Sequence, residues 1–72
     1  MNQVNLSCEA EGNPSVSFIW YEEADTNYQL STENLLMTNK SGIYACKAYN
    51  IVYGQMYNIT ETISITIGEY IS

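Results

Sequence analysis

Two cysteines, Cys8 and Cys46, stand 38 positions apart in a chain of only 72 residues. A chain this short hides only about 60 to 65 % of its unfolded surface on folding, so a covalent staple is expected. No Cys-x-x-Cys pair and no histidine accompanies the two cysteines, so the spacings of zinc and redox sites are missing. The residues read as one structural disulfide, the alternative being two buried free thiols in a cytosolic domain. In the chain-entropy picture, closing a loop of this size is worth about 4 kcal/mol, comparable to the net stability of a small domain. Such a bond persists in an oxidising compartment. The expected location is therefore extracellular, on the cell surface or secreted.

Charge excludes several partners. Lys and Arg total 2 against 8 Asp and Glu, a net charge of -6. Nucleic acid and anionic membranes are held by basic residues that displace condensed cations, so neither is expected as a partner. Histidine-based catalysis and histidine metal ligation are excluded by composition. At 46 % hydrophobic and 14 % charged the chain should form a core and not a disordered segment. No apolar run is long enough to span a bilayer. Met1, Asn2 and Gln3 do not open a basic region followed by an apolar stretch, so the chain reads as a piece of a longer exported precursor. Three acceptor sequons, beginning at Asn5, Asn39 and Asn58, agree with export and mark candidate glycosylation sites.

Period-2 alternation recurs between turn residues, and helical spacing does not, so the chain is expected to be all-β. Val4, Leu6, Cys8 and Ala10 form one inward set, and Gly12-Asn13-Pro14 closes it. Val16, Phe18 and Trp20 form the next. Leu35 to Thr38 reads as a short strand of ambiguous parity. Tyr44, Cys46 and Ala48 alternate with Ile43, Ala45, Lys47 and Tyr49, and a last strand puts Tyr57, Ile59, Ile63, Ile65 and Ile67 on its inward side, interrupted by Glu61. Five such strands imply two sheets packed face to face.

The framework of Cys8, Trp20 and Tyr44-Ala45-Cys46 resembles that of an immunoglobulin-like domain of the I-set or C-two type. Val4 to Pro14 is similar to the family's strand and turn around its first cysteine, and Ser41 to Asn50 to its Gly-x-Tyr-x-Cys-x-Ala-x-Asn strand. The resemblance implies a single immunoglobulin-like β-sandwich over residues 1–72, made of two antiparallel sheets. It also implies a Trp20 core packed on an intersheet cystine, with the Tyr44 hydroxyl bonding back to the preceding turn. There are departures. Lys40 stands where the family usually has an acid, and the interval from Trp20 to Tyr44 is short. That interval implies a reduced fourth strand, and with only seven residues before Cys8 the family's first strand is expected to be short or missing. Gly54 comes late, suggesting an enlarged loop from Asn50 to Met56. A shorter likeness, from Tyr44 through Ile63, is to the corresponding hairpin of interleukin-one-receptor ectodomains and their soluble decoys.

No enzyme or cofactor signal stands out. Glu22, Glu23 and Asp25 cluster without the spacing of a calcium loop and read as a solvated connection. Lys40 and Lys47 read as surface lysines, and the glycines as isolated turn residues. The informative excess is seven tyrosines. Parity turns Tyr21, Lys47 and Tyr49 outward on one sheet, and Ile51, Val52, Tyr53 and Met56 crowd the neighbouring loop, where a merely solvated turn would favour polar residues. Such a patch has the composition of a recognition surface. The expected function is an extracellular protein-binding module of a receptor, adhesion molecule or secreted decoy, flanked by further immunoglobulin-like domains. The alternative is a spacer domain with no ligand of its own.

Overall fold

Alternation turns into ladders wherever two runs can be brought side by side. In the computed structural model, which describes residues 3–67, the strands are β1 (Val4–Ser7), β2 (Ser17–Glu22), β3 (Leu35–Thr38), β4 (Gly42–Val52) and β5 (Gln55–Ile65). Met1 and Asn2, read above for a signal segment, lie outside the described residues. The protein is all-β. β1 and β3 form one antiparallel pair, and β2, β4 and β5 form a three-stranded antiparallel sheet with β4 in the centre.

Each sheet turns one face toward a shared core. Leu6 and Leu36 come from the small sheet, Trp20, Tyr44 and Cys46 from the large one, and Cys8 joins them just after β1. Val4, Phe18, Leu30, Ile63 and Ile65 pack around this cluster, half-buried. Cys8 and Cys46 are disulfide-bonded, with their Cα atoms 6.5 Å apart, so the segment after β1 is tied to the middle of β4. The ambiguous run in β3 resolves with Leu36 buried and Leu35 and Met37 exposed.

The middle of the chain is abbreviated. Between β2 and β3 only single bridges form, Glu22 with Asp25 and Trp20 with Ser31. The second is well made, with the Trp20 N–H donating to Ser31 O at 2.8 Å and the Leu30 N–H to Trp20 O at 2.7 Å. The chain then leaves the large sheet and enters β3.

Three expectations need correction. The first strand ends at Ser7 although alternation continues to Ala10, because β3 offers only four residues to pair with; the Cys8 N–H adds one further bond, to Asn34 O. The stretch from Asn50 to Met56 is not an enlarged loop. β4 runs to Val52 and β5 starts at Gln55, paired with each other, and only Tyr53 and Gly54 turn the chain, at φ 50° and 78°. Two central residues with positive φ make the primed turn whose twist suits a hairpin. Ile51, Val52 and Met56, apparently too apolar for a loop, are strand residues.

The third correction concerns the last strand. Tyr57 and Ile59 share the inward parity of Ile63 and Ile65 but remain 58 % and 64 % exposed. The cause is length. At about 3.3 Å per residue, the 11-residue strands of the hairpin span ~36 Å, whereas the four-residue strands opposite cover ~13 Å. The β4–β5 hairpin therefore runs on past the small sheet as an arm. The radius of gyration, 14.2 Å against about 11 Å for a compact chain of this size, departs in the direction such an arm produces.

Candidate functional site: the outward face and tip of the β4–β5 hairpin

Register assembles the outward face row by row. Tyr21 pairs with Ala45 and Ala45 with Thr62; Ile19 pairs with Lys47 and Lys47 with Thr60; Ser17 pairs with Tyr49 and Tyr49 with Asn58. Residues opposed in this way lie within side-chain reach, so Tyr21, Lys47 and Tyr49 share one surface. None of the three is fully exposed. Each is half-buried, and Ala45 in their midst is buried. This part of the face is a shallow, partly self-covered platform.

The tip is different. Ile51 and Met56 are cross-strand partners and both are exposed, and Tyr53 projects wholly into solvent. Tyr53 also occupies a backbone conformation that Asn or Gly adopts at less cost, since a Cβ in the left-handed region meets the following carbonyl. Sequence reading placed Ile51, Tyr53 and Met56 together here but took Ile51 and Met56 for loop residues and missed their pairing. The signal was available, because Ile51 and Met56 flank Val52-Tyr53-Gly54-Gln55 symmetrically, as a two-residue turn requires.

Behind this surface a polar network fixes the start of β4. Tyr44 is buried; its hydroxyl donates to Lys40 O at 2.5 Å and lies 2.8 Å from Thr38 Oγ1, which in turn accepts the Lys40 N–H at 3.2 Å. Lys40 Nζ lies 3.7 Å from Glu22 Oε1, a solvent-facing pair worth under about 1 kcal/mol. Glu22, Glu23 and Asp25 assemble no metal site: among the described residues no group of three or more His, Cys, Asp or Glu side chains could hold an ion. Trp20 is completely buried, and its Nε1–H has no hydrogen-bond partner.

The sequon asparagines fall on three separate surfaces, all exposed. Asn5 lies on β1 opposite Met37, Asn39 follows β3, and Asn58 lies on β5 opposite Tyr49. The disulfide is consistent with an extracellular or secreted location, and no helix among the described residues is long and apolar enough to cross a membrane.

No protein-family model matches the chain, and no solved structure matches it significantly.

Proposed function

We propose that the chain is an immunoglobulin-like module of a secreted or cell-surface protein, and that it binds another extracellular protein through the hairpin tip and the adjoining outward face. Tyr53 carries this reading. An aromatic side chain held in a strained turn conformation and left in full contact with water is destabilising twice over, and such costs persist where a site uses the residue. Ile51 and Met56 extend it into an apolar patch, the kind of surface that a partner covers. Tyr49 and Lys47 supply the rim, with Lys47 the one cation on a face of a strongly acidic chain. The arrangement of Cys8, Trp20, Tyr44 and Cys46 around two antiparallel sheets supports the immunoglobulin-like assignment.

The half-burial of Tyr21, Lys47 and Tyr49 favours a second reading, a spacer domain whose outward face only covers itself. A fluorescent tetramer of the chain, applied to cell lines with surface proteins intact or stripped by protease, separates the two. The binding reading expects protease-sensitive staining that Tyr53→Ala or Tyr49→Ala removes while the thermal midpoint is kept. Staining that survives both substitutions but is lost on changing Asn5, Glu9 or Glu61 would show that the wrong face has been chosen. Absence of staining on every line favours the spacer.

A further inference from the structure

The inward face of the hairpin arm, opposite the surface just described, has its own geometry. Past Cys46 β4 adds nothing more to the core cluster, and Ala48, Asn50, Tyr57 and Ile59, with Tyr49 and Asn58 beside them, form the floor of an open groove of about 300 Å³. Glu11 and Val16, from the segment between β1 and β2, form its wall. That wall is anchored. Asn50 Nδ2 donates to Pro14 O at 2.9 Å, and Gly12 sits so close that a Cβ there would stand 2.8 Å from the same nitrogen. The groove is thus preformed, because the side chain that floors it also holds its wall.

Beside the floor lies an unfinished ladder. β5 is an edge strand, with β4 its only partner among the described residues. Native edges are usually blunted by lysine, proline, a bulge or brevity. From Gln55 to Thr60 this edge has no charged residue and no proline, and β5 is 11 residues long. Only Glu61 interrupts it, on the inward parity, next in line after Tyr57 and Ile59. An added strand would therefore meet two apolar positions and then an acid along the groove side, with the Glu11 carboxylate on the wall.

We propose that the free edge of β5 from Gln55 to Glu61 accepts an extended segment of a partner protein as a fourth strand of the sheet, its apolar residues over Tyr57 and Ile59 and a Lys or Arg facing Glu61. Main-chain ladder bonds supply affinity in this mode, and alternate side chains supply specificity. The charge pattern selects the occupant. A second copy of this chain would bring another uncompensated acid to the edge and a net charge of -6, whereas a basic strand meets complementary potential. This site is separate from the tip and stands whether or not the tip binds.

The probe is the capped heptapeptide Lys-Thr-Val-Thr-Val-Thr-Lys, which reads as two valines followed by a lysine in either direction, titrated into the oxidised, isotope-labelled chain at low salt. Saturable amide shifts along β5 and around Ala48 and Asn50 are expected, with at least about tenfold weaker binding of the peptide whose lysines are replaced by glutamate. Glu61→Lys should reverse that preference, and Ile59→Lys should abolish binding of the lysine peptide. Both positions are exposed, and an unchanged Trp20 emission spectrum checks that the fold is kept. Met37→Lys, on the exposed side of the small sheet, should leave the lysine peptide's affinity within about twofold. Shifts confined to Ile19, Lys47 and Tyr49, equal affinity for both peptides, or no saturable shift would each overturn the proposal. So would sedimentation showing that the edge is already occupied by a second copy.

Discussion

Asn58 and Tyr49 are direct cross-strand partners on the outward face of the large sheet, so a sequon and a recognition tyrosine occupy the same patch of surface. A glycan on that asparagine would stand over the tyrosine ring. In a host that glycosylates, material carrying sugar at Asn58 should bind through the outward face at least about tenfold more weakly than Asn58→Gln. The corresponding changes at Asn5 and Asn39, on other surfaces, should have no such effect. Comparing the tetramer staining of the three variants checks this.

Removing the cystine should cost about 4 kcal/mol, from the unfolded-state entropy of a loop spanning 38 residues. The Cys8→Ala/Cys46→Ala double variant is then expected to be mostly unfolded at 37 °C. Far-ultraviolet circular dichroism with urea titration measures it, and a midpoint close to that of the oxidised protein would contradict it.

Tyr44→Phe removes the hydroxyl that joins Lys40 O to Thr38 Oγ1 in a part-buried site. Leaving both without this partner should cost roughly 1 to 3 kcal/mol. A double-mutant cycle with Thr38→Val should show coupling between the two positions, since they share one network. Independent additive effects in urea unfolding would argue against the network.

Trp20→Ala should cost about 3 to 5 kcal/mol by leaving a cavity at the centre of the core. Trp20→Phe should be distinctly milder, because the indole N–H is buried without a partner and its removal forfeits no hydrogen bond. The comparison is of thermal midpoints, and equal losses for the two variants would refute it.

Tyr53→Asn is expected to stabilise the hairpin by roughly 1 kcal/mol, since Asn tolerates the left-handed conformation that Tyr53 adopts. The same substitution should reduce partner binding. Gly54→Ala should act the other way on stability, costing about 1 kcal/mol at its φ of 78°. Calorimetric midpoints of the two variants should therefore shift in opposite directions.

What the sequence made legible, and what it did not, follows from what alternation encodes. Parity identifies which side of a sheet a residue occupies, so the inward positions of Leu6, Cys8, Trp20, Tyr44 and Cys46 were readable without coordinates. Parity carries no information about what lies across from that side. Ile59 and Ile63 are indistinguishable by pattern, yet one faces the small sheet and the other faces an open groove. The deciding quantity is the four-residue length of β3, set by where its neighbours stop pairing. The hairpin turn was misread for a related reason. Tyr53-Gly54 lacks the Asn-Gly or Asp-Gly signature, and the apolar residues around it resembled a decorated loop until their pairing showed them as strand. The tip therefore entered the sequence reading as composition, while its strained tyrosine could be found only from backbone geometry.

The overhanging arm also divides the protein by local stability. At its base, β4 and β5 are held by the cystine, by Trp20 and by the Tyr44 hydroxyl, so those residues can separate only when the domain as a whole unfolds. Beyond Tyr49, where β2 stops pairing, the arm has little but its own ladder and the Asn50 to Pro14 bond to hold it, and it can peel open while the base stays folded. The hairpin tip and the Gln55 to Asn58 end of the β5 edge sit on that breathing end. A partner that rigidified the shared ladder from one face would couple to the other through loss of motion, without any change in the average structure.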